Sequence, residues 1–181
     1  MTISPLPRLL TMADWAELPE DTSSHIELQE GVLIVSPRPK RQHVRAGYRL
    51  ARQLEPQLPA GLESLIEFEV CVDAGAEPTV RGPDLVLTQT DGPEDRLAAS
   101  DALLVVEIIS PGSRRTDTVT KPFEYAAAGI PHYWVIDPVA PISLTAYRLA
   151  GEFGYLESPA VTGEFVTTVP FPLRIDLDAL V

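Results

Sequence analysis

The chain is poor in the side chains that most often form covalent links or metal sites, with one cysteine and three histidines in 181 residues. Cys71 has no internal disulfide partner, which favours a reducing compartment, so we expect a cytoplasmic protein. The scattered His25, His43 and His132 give no zinc-ligand spacing. No apolar run reaches membrane-spanning length and the first residues lack a signal-peptide pattern, so we expect no membrane association.

Positive charge is also scarce, with 14 Lys and Arg against 26 Asp and Glu and a net charge of −12. This balance argues against a large non-specific nucleic-acid surface, because phosphate binding needs clustered cations. Six of the 14 basic residues nevertheless fall between Arg38 and Arg52. The length and the ordinary apolar content predict that residues 1–181 form a single domain with a substantial core.

Compact apolar runs predict strands buried on both faces over residues 84–88, 103–109 and 133–136. A helix over residues 123–128, closed by Gly129, separates the last two runs. Strand, helix, strand implies a right-handed crossover and a partly parallel sheet.

The remaining patterns are weaker. They predict a short helix over 11–20 capped by Thr11 with Asp14 in its first turn, and two extended pieces over 25–36 that meet near Gly31. Alternation predicts one half-exposed strand over 65–73, and a C-terminal β-meander over 143–149, 165–169 and 173–177.

Residues 41–58 have a helical period. The predicted apolar side comprises Val44, Tyr48, Ala51, Leu54 and Leu58. A neighbouring stripe comprises Arg41, Arg45, Arg49 and Arg52. Two interpretations of the stripe stay open: a solvated face whose arginines pair with the chain's many acids, or a surface that contacts phosphate.

Two acids stand at the edges of apolar runs. Asp84 follows Pro83, and Glu107 ends the most apolar strand just before a turn, where ligands gather in open α/β sheets. Alone, Asp84 could cap a turn and Glu107 could pair with a buried arginine. Because unpaired acids are costly to bury, the two together favour a divalent metal site. Mg²⁺ suits such a pair, since it takes hard oxygen ligands and keeps several waters.

Any lysine that the chemistry needs must be Lys40 or Lys121, the only two in the chain. Asp117, Lys121 and Tyr125 are four residues apart, so a continuous helix would place them on one face. Pro122 favours instead a helix that begins there, with Lys121 extended before it. Lys121 would then orient the nucleophilic water or stabilise the phosphorane, or else be a surface lysine paired with Asp117.

These residues resemble the Uma2 family, which belongs to the PD-(D/E)XK restriction-endonuclease-like superfamily. The resemblance covers most of the chain. It is carried by residues 25–37 (HIELQEGVLIVSP), His43, Pro83-Asp84, residues 106–111 (VEIISP), Ser113, Asp117, Lys121, Tyr125, Gly129 and residues 132–138 (HYWVIDP). It implies an α/β (α+β) fold with a mixed central sheet flanked by helices and additional β-hairpins.

The resemblance also implies a metal site. Asp84 and Glu107 would hold Mg²⁺, or Mn²⁺, together with the backbone carbonyl of Ile108, and Glu27 would be a further acid of the catalytic set. The superfamily places its lysine two residues after the second acid, where this chain has Ile109. Lys121 would take that role here.

The substrate side of the site would comprise Ser110, Ser113, Asp117, His43 and Arg45. His43 has the alternative of a purely structural role.

The resemblance implies a Mg²⁺-dependent endonuclease that hydrolyses DNA and acts as a homodimer. Two other hypotheses remain: a catalytically inactive binding or assembly module, and a metal-dependent hydrolase of small phosphates.

Overall fold

A computed structural model describes residues 8–19 and 24–181. The helices are α1 (Met12–Ala16), α2 (Arg41–Leu54) and α3 (Lys121–Ala127), and a π-helical turn, Thr116–Thr120, directly precedes α3. The strands are β1 (His25–Gln29), β2 (Val32–Ser36), β3 (Leu62–Ile66), β4 (Val70–Asp73), β5 (Thr79–Arg81), β6 (Leu85–Gln89), β7 (Leu97–Ala98), β8 (Leu104–Ile108), β9 (His132–Asp137), β10 (Ser143–Leu149), β11 (Tyr155–Glu157), β12 (Val161–Thr162), β13 (Glu164–Thr167) and β14 (Leu173–Asp176). Within the described residues, no helix is long and apolar enough to cross a membrane.

The strands form mixed sheets, as the predicted α+β class requires. The larger sheet has the order β11-β10-β9-β8-β6-β3, with β12 also paired to β10, and the smaller has the order β2-β1-β5-β4-β7. Strands β8 and β9 run parallel on either side of the π turn and α3. The predicted strand, helix, strand unit is therefore confirmed.

The core lies on both faces of the larger sheet. Along β8, Leu104, Val106 and Ile108 pack beneath α2, whereas Val105 and the following Ile109 pack on the face covered by α3. Successive side chains of a strand point to opposite faces, so a continuous apolar run marks a strand covered on both sides.

The buried face of α2 differs from the predicted one. Val44 and Tyr48 are 53% and 57% exposed, because the small residues of the helix turn toward the sheet instead. A Cβ placed on Gly47 would lie 3.6 Å from Ile108 Cδ1, so the two elements approach closely. The helix also ends earlier than predicted, at Leu54. Its buried residues are Ala46, Gly47, Leu50, Ala51 and Leu54.

The prediction of one strand over residues 65–73 is wrong. Strands β3 and β4 belong to different sheets, and the chain turns between them at Glu67, whose φ is +52°. The alternation of polar and apolar residues continues across the turn, and it therefore concealed the break.

The helix ends follow local chemistry. Thr11 caps α1 through a reciprocal pair of hydrogen bonds with Asp14, as predicted. The helix ends at Ala16, earlier than the predicted span of 11–20, whose last residue lies outside the described residues. Gly129 follows α3 with φ of +84°, the left-handed conformation expected of a residue that closes a helix.

The C-terminal region only partly matches the predicted meander. Strand β10 lies where it was expected, but β13 and β14 pair with each other in a separate two-stranded sheet. The short strands β5, β11 and β12 were not predicted, because two or three residues are too few to show a period.

Gly31, in the turn between β1 and β2, should tolerate substitution by alanine less well than Gly163. It has φ of +74°, and an added Cβ would lie 2.9 Å from Leu9 Cβ and 3.1 Å from the Leu10 carbonyl oxygen. Gly163 has φ of +73° but no neighbour within 4 Å. We expect Gly163→Ala to lower the free energy of unfolding by about 1–2 kcal/mol through backbone strain. Gly31→Ala should cost about 1–3 kcal/mol more through overpacking.

Urea unfolding of Gly31→Ala and Gly163→Ala measures the difference between their free energies of unfolding. Equal losses would show that the contact of the segment before α1 with the hairpin contributes nothing.

Candidate active site

The sheet register brings the two predicted acids together. Strands β6 and β8 are antiparallel and pair Leu85 with Val106, so one step further sets Asp84 opposite Glu107. Alternation places both side chains on the face of the sheet that α3 covers. The two acids therefore meet at the edge of the sheet where β6 begins and β8 ends.

Glu107 is buried, with 4% of its surface exposed. Its Oε1 accepts hydrogen bonds from Lys121 Nζ at 2.7 Å and from Tyr125 OH at 2.9 Å. Burial raises the pKa of Glu107 well above its usual value, nearby Asp84 and Asp117 add to the increase, and Lys121 opposes it. Its partner is thus a lysine, rather than the buried arginine of the alternative interpretation.

Lys121 is the central cation of the cluster and is 5% exposed. Its Nζ lies 2.7 Å from Glu107 Oε1, 3.1 Å from Glu27 Oε1 and 3.9 Å from Asp117 Oδ1. Burial opposes its charge, but the three carboxylates outweigh burial and raise the pKa of Lys121. Lys121 therefore remains an ammonium at neutral pH, and it is not the surface lysine of the alternative interpretation.

The prediction of extended geometry at Lys121 is wrong. The residue is helical, with φ of −61° and ψ of −39°, and its N–H donates to the Thr116 carbonyl five residues earlier. Pro122 occupies the first turn of α3, where a missing N–H costs little. The continuous helical path through the π turn places Asp117, Lys121 and Tyr125 around Glu107. Wide turns of this kind occur frequently at functional sites.

Glu27 joins the site from the smaller sheet. Its Oε2 accepts a hydrogen bond from Arg81 Nη1 at 2.9 Å, and its Oε1 accepts one from the Gly82 N–H at 3.2 Å. Burial opposes ionisation of Glu27, but Lys121, His25 and Arg81 outweigh it and lower the pKa. Glu27 is therefore a stable anion that links the two sheets through Lys121.

Arg81 is a functional candidate that sequence reasoning missed. It is 1% exposed, and besides Glu27 it binds both carboxylate oxygens of Glu124 on α3, at 2.7 and 2.8 Å. Strand β5, which carries it, has only three residues. The one available signal was an arginine directly before Gly82, Pro83 and Asp84.

Asp84 is held through both carboxylate oxygens. Oδ2 accepts the Ile108 backbone N–H at 2.6 Å, and Oδ1 lies 2.6 Å from His43 Nε2. His43 Nδ1 is buried and has no hydrogen-bond partner among the described residues. Burial opposes protonation of His43, but the hydrogen bond and charge of Asp84 outweigh it and raise the pKa. His43 thus contacts a predicted metal ligand directly.

The loop after β8 carries the predicted substrate-facing serines. Ser113 Oγ accepts hydrogen bonds from the Ser110 N–H at 2.9 Å and from the Ser110 hydroxyl at 3.0 Å. Asp117 is buried; burial raises its pKa, whereas Lys121 and a hydrogen bond with Ser113 oppose the increase. The loop therefore connects the two serines to the acidic cluster.

The predicted acids and the lysine border one cavity of about 580 Å³, which Glu27, Asp84, Glu107, Asp117 and Lys121 line. The predicted substrate-facing residues Ser110, Ser113 and His43 also line it, together with Ile108 and the unpredicted Arg81. Arg45 does not belong to this lining; it is half-buried on α2. Arg38 and Lys40, which precede α2, line the cavity instead.

The donor set of the cavity fits a hard divalent cation. Negative charges at Asp84, Glu107, Asp117 and Glu27 outnumber the cations among them, and this surplus contributes to the raised pKa of Glu107 and Asp117. In residues 8–19 and 24–181, no three His, Cys, Asp or Glu side chains are grouped as metal ligands. The fit is therefore to an ion such as Mg²⁺, which uses one or two carboxylates and otherwise oxygen atoms of backbone, water or substrate.

Removing the central cation should destabilise the protein in a pH-dependent way. We expect Lys121→Met, measured with EDTA at about pH 7, to lose about 3–5 kcal/mol, because it leaves buried carboxylates without their partner. In the wild type the lowered pKa of Glu27 contributes stability above its unfolded pKa, and that contribution is lost as pH falls. In the variant the raised pKa of Glu107 favours the folded state at low pH. The difference in the free energy of unfolding between wild type and Lys121→Met should therefore decrease from about pH 7 toward pH 4.

Lys40→Met, at the only other lysine, is the matched control and should stay within about 0.5 kcal/mol of wild type. Guanidinium unfolding across this pH range measures both variants. A loss of unfolding free energy in Lys121→Met that does not change with pH would contradict the conclusion that Lys121 stabilises the buried carboxylates through its charge.

Comparison with known proteins identifies the fold and the family of the chain. The solved structure of a "putative nuclease belonging to DUF820" from Anabaena variabilis ATCC 29413 is 19% identical in sequence and has a TM-score of 0.70. The alignment covers 94% of this chain and 97% of that one, so the two share a fold. No curated protein matches the chain significantly. The family model described as "Uma2: Putative restriction endonuclease" matches residues 12–179. The chain therefore belongs to the Uma2 family.

Proposed function

We infer that the protein is a metal-dependent endonuclease that hydrolyses DNA phosphodiester bonds, and that the whole chain forms one nuclease domain of the PD-(D/E)XK type. The observation that carries this inference is the pairing of Asp84 with Glu107 beside the buried ammonium of Lys121, in one cavity of a Uma2-family chain. We also propose that the protein acts in the cytoplasm.

Asp84, Glu107 and the backbone carbonyl of Ile108 would hold Mg²⁺, with Mn²⁺ as a substitute. The bound ion would lower the pKa of a water molecule and neutralise charge on the phosphate. The hydrogen bonds from the Ile108 N–H and His43 to Asp84 fix the orientation of that carboxylate before any ligand arrives. Such outer contacts orient metal-binding carboxylates in many sites.

Lys121 would supply positive charge next to the scissile phosphate. Since its pKa is raised, it stays protonated and does not serve as the base. Glu27 Oε1 contacts the Lys121 ammonium at 3.1 Å, which makes Glu27 a positioning residue for the catalytic lysine. Ser110, Ser113 and Asp117 would face the substrate from the loop and the π turn. Arg45 could contact DNA only outside the cavity.

Loss of either metal-binding acid should abolish cleavage. We expect Asp84→Asn and Glu107→Gln each to reduce Mg²⁺-dependent cleavage of plasmid and single-stranded DNA about 100-fold or more, the scale of losing one transition-state charge stabiliser. Asp95→Asn, at an exposed aspartate outside the cavity, should cleave like wild type. Rates with Mg²⁺, Mn²⁺ or EDTA, together with thermal unfolding of each variant, complete the experiment.

Undiminished cleavage by pure, folded Asp84→Asn would refute the assignment. A wild type that cuts no nucleic acid with any metal would favour the binding-module hypothesis. Two observations support that hypothesis: Glu107 is already bound to Lys121, and position 109 is an isoleucine instead of the superfamily lysine. Turnover of a chromogenic phosphodiester alone would favour a hydrolase of small phosphates.

We also propose a homodimer formed through strand β2. This strand lies at the edge of the smaller sheet, and it exposes Val32 by 48%, Leu33 by 38% and Val35 by 63%. An exposed apolar edge strand readily pairs with a second chain. Sedimentation at micromolar concentration should give twice the chain mass of 19.7 kDa, and Val35→Lys should shift the protein toward monomer. A wild-type monomer would contradict the proposal.

A further inference from the structure

The segment that joins β2 to α2 forms one side of the cavity. Its residues Pro37, Arg38, Pro39 and Lys40 all line the cavity. Each proline fixes its own φ and restricts the residue before it, so the segment is locally stiff. Lys40 itself is extended, with φ of −75° and ψ of 161°. Two cations are therefore held at the cavity by a segment with little conformational freedom.

These two cations are not neutralised by the protein. In residues 8–19 and 24–181, neither Arg38 nor Lys40 forms an ion pair or a side-chain hydrogen bond, and both are exposed. No acidic residue lies in the first turn of α2, which follows them. Of the Lys and Arg residues that line the cavity, Arg81 and Lys121 are paired with carboxylates. Arg38 and Lys40 are thus the two lining cations that remain available to a bound ligand.

The cavity consequently has two electrostatic parts. The inner part carries the carboxylates Glu27, Asp84, Glu107 and Asp117, which repel a phosphate unless a metal neutralises them. The outer part carries Arg38 and Lys40. A strand with successive phosphates could contact both parts at once.

We propose that Arg38 and Lys40 form a phosphate-binding rim, which holds a backbone phosphate next to the one that is cleaved. This inference rests on the proposed nuclease function and names its substrate class: a nucleic-acid strand with more than one phosphodiester, rather than a small phosphate ester. The rim positions the strand through charge, so it adds affinity without base specificity.

The test compares two double variants with the same charge change. Arg38→Gln with Lys40→Gln removes the rim. Arg148→Gln with Arg174→Gln removes two exposed arginines that do not line the cavity and lie outside the arginine stripe of α2. Binding of fluorescein-labelled single-stranded and duplex oligonucleotides is measured by anisotropy, with EDTA and with Ca²⁺, over a series of salt concentrations. Mn²⁺ affinity is measured by calorimetry, and cleavage of a chromogenic phosphodiester is followed in parallel.

We expect the rim variant to bind oligonucleotide about 10-fold or more weakly. Its slope of log K against log salt should become shallower by about 0.7 for single strands or about 0.9 for duplex, the value for one lost phosphate contact. Mn²⁺ affinity and turnover of the chromogenic ester, which has no neighbouring phosphate, should match the control variant.

Equal loss of oligonucleotide binding in both double variants, or no loss in the rim variant, would overturn the rim. Rim-dependent binding by a wild type that cleaves no DNA would support the rim and refute the nuclease function. Cleavage of plasmid and single-stranded DNA by the rim variant at the wild-type rate would overturn the rim and support the nuclease function.

Discussion

The site depends on one buried ammonium ion. Lys121 lies among Glu27, Glu107 and Asp117, which come from β1, from β8 and from the π turn. Without that charge, three carboxylates would share a space from which water is largely excluded, at a cost of several kcal/mol. The two sheets and the helical segment can therefore meet here only because a cation lies between them. The same charge is available to a phosphate that enters the cavity.

The backbone around Lys121 determines where its ammonium group lies. A regular α-helix through Pro122 would lose a hydrogen bond in its interior, but the π turn places the proline in the first turn of α3. The Tyr133 hydroxyl donates to the Asp117 carbonyl at 2.6 Å and so secures the wide turn against β9. Arg81 adds a second connection, from β5 to Glu124 on α3. The smaller sheet thereby contributes to the site as well as covering it.

Much of this arrangement could be predicted from the sequence. Acids at the ends of apolar runs are costly, so Asp84 and Glu107 stood out, and the scarcity of lysine reduced the search to two residues. The conformation of Lys121 and the role of Arg81 could not be predicted. The first depends on a turn with five-residue spacing. The second depends on a three-residue strand and on the acids that bind Arg81, Glu27 and Glu124, which are 54 and 43 residues away in sequence. The alternation across Glu67 misled for a related reason, since a local period does not show a change of sheet.

The proposed endonuclease requires that Asp84 and Glu107 bind a divalent metal ion beside Lys121. An anomalous-difference map from crystals of the protein soaked in Mn²⁺ tests this binding without relying on catalysis. One strong peak is expected within about 2.0–2.6 Å of a carboxylate oxygen of each acid, the range of hard-cation coordination. A map at saturating Mn²⁺ with no peak between the two acids, and with Lys121 still bound to Glu107, would contradict this binding.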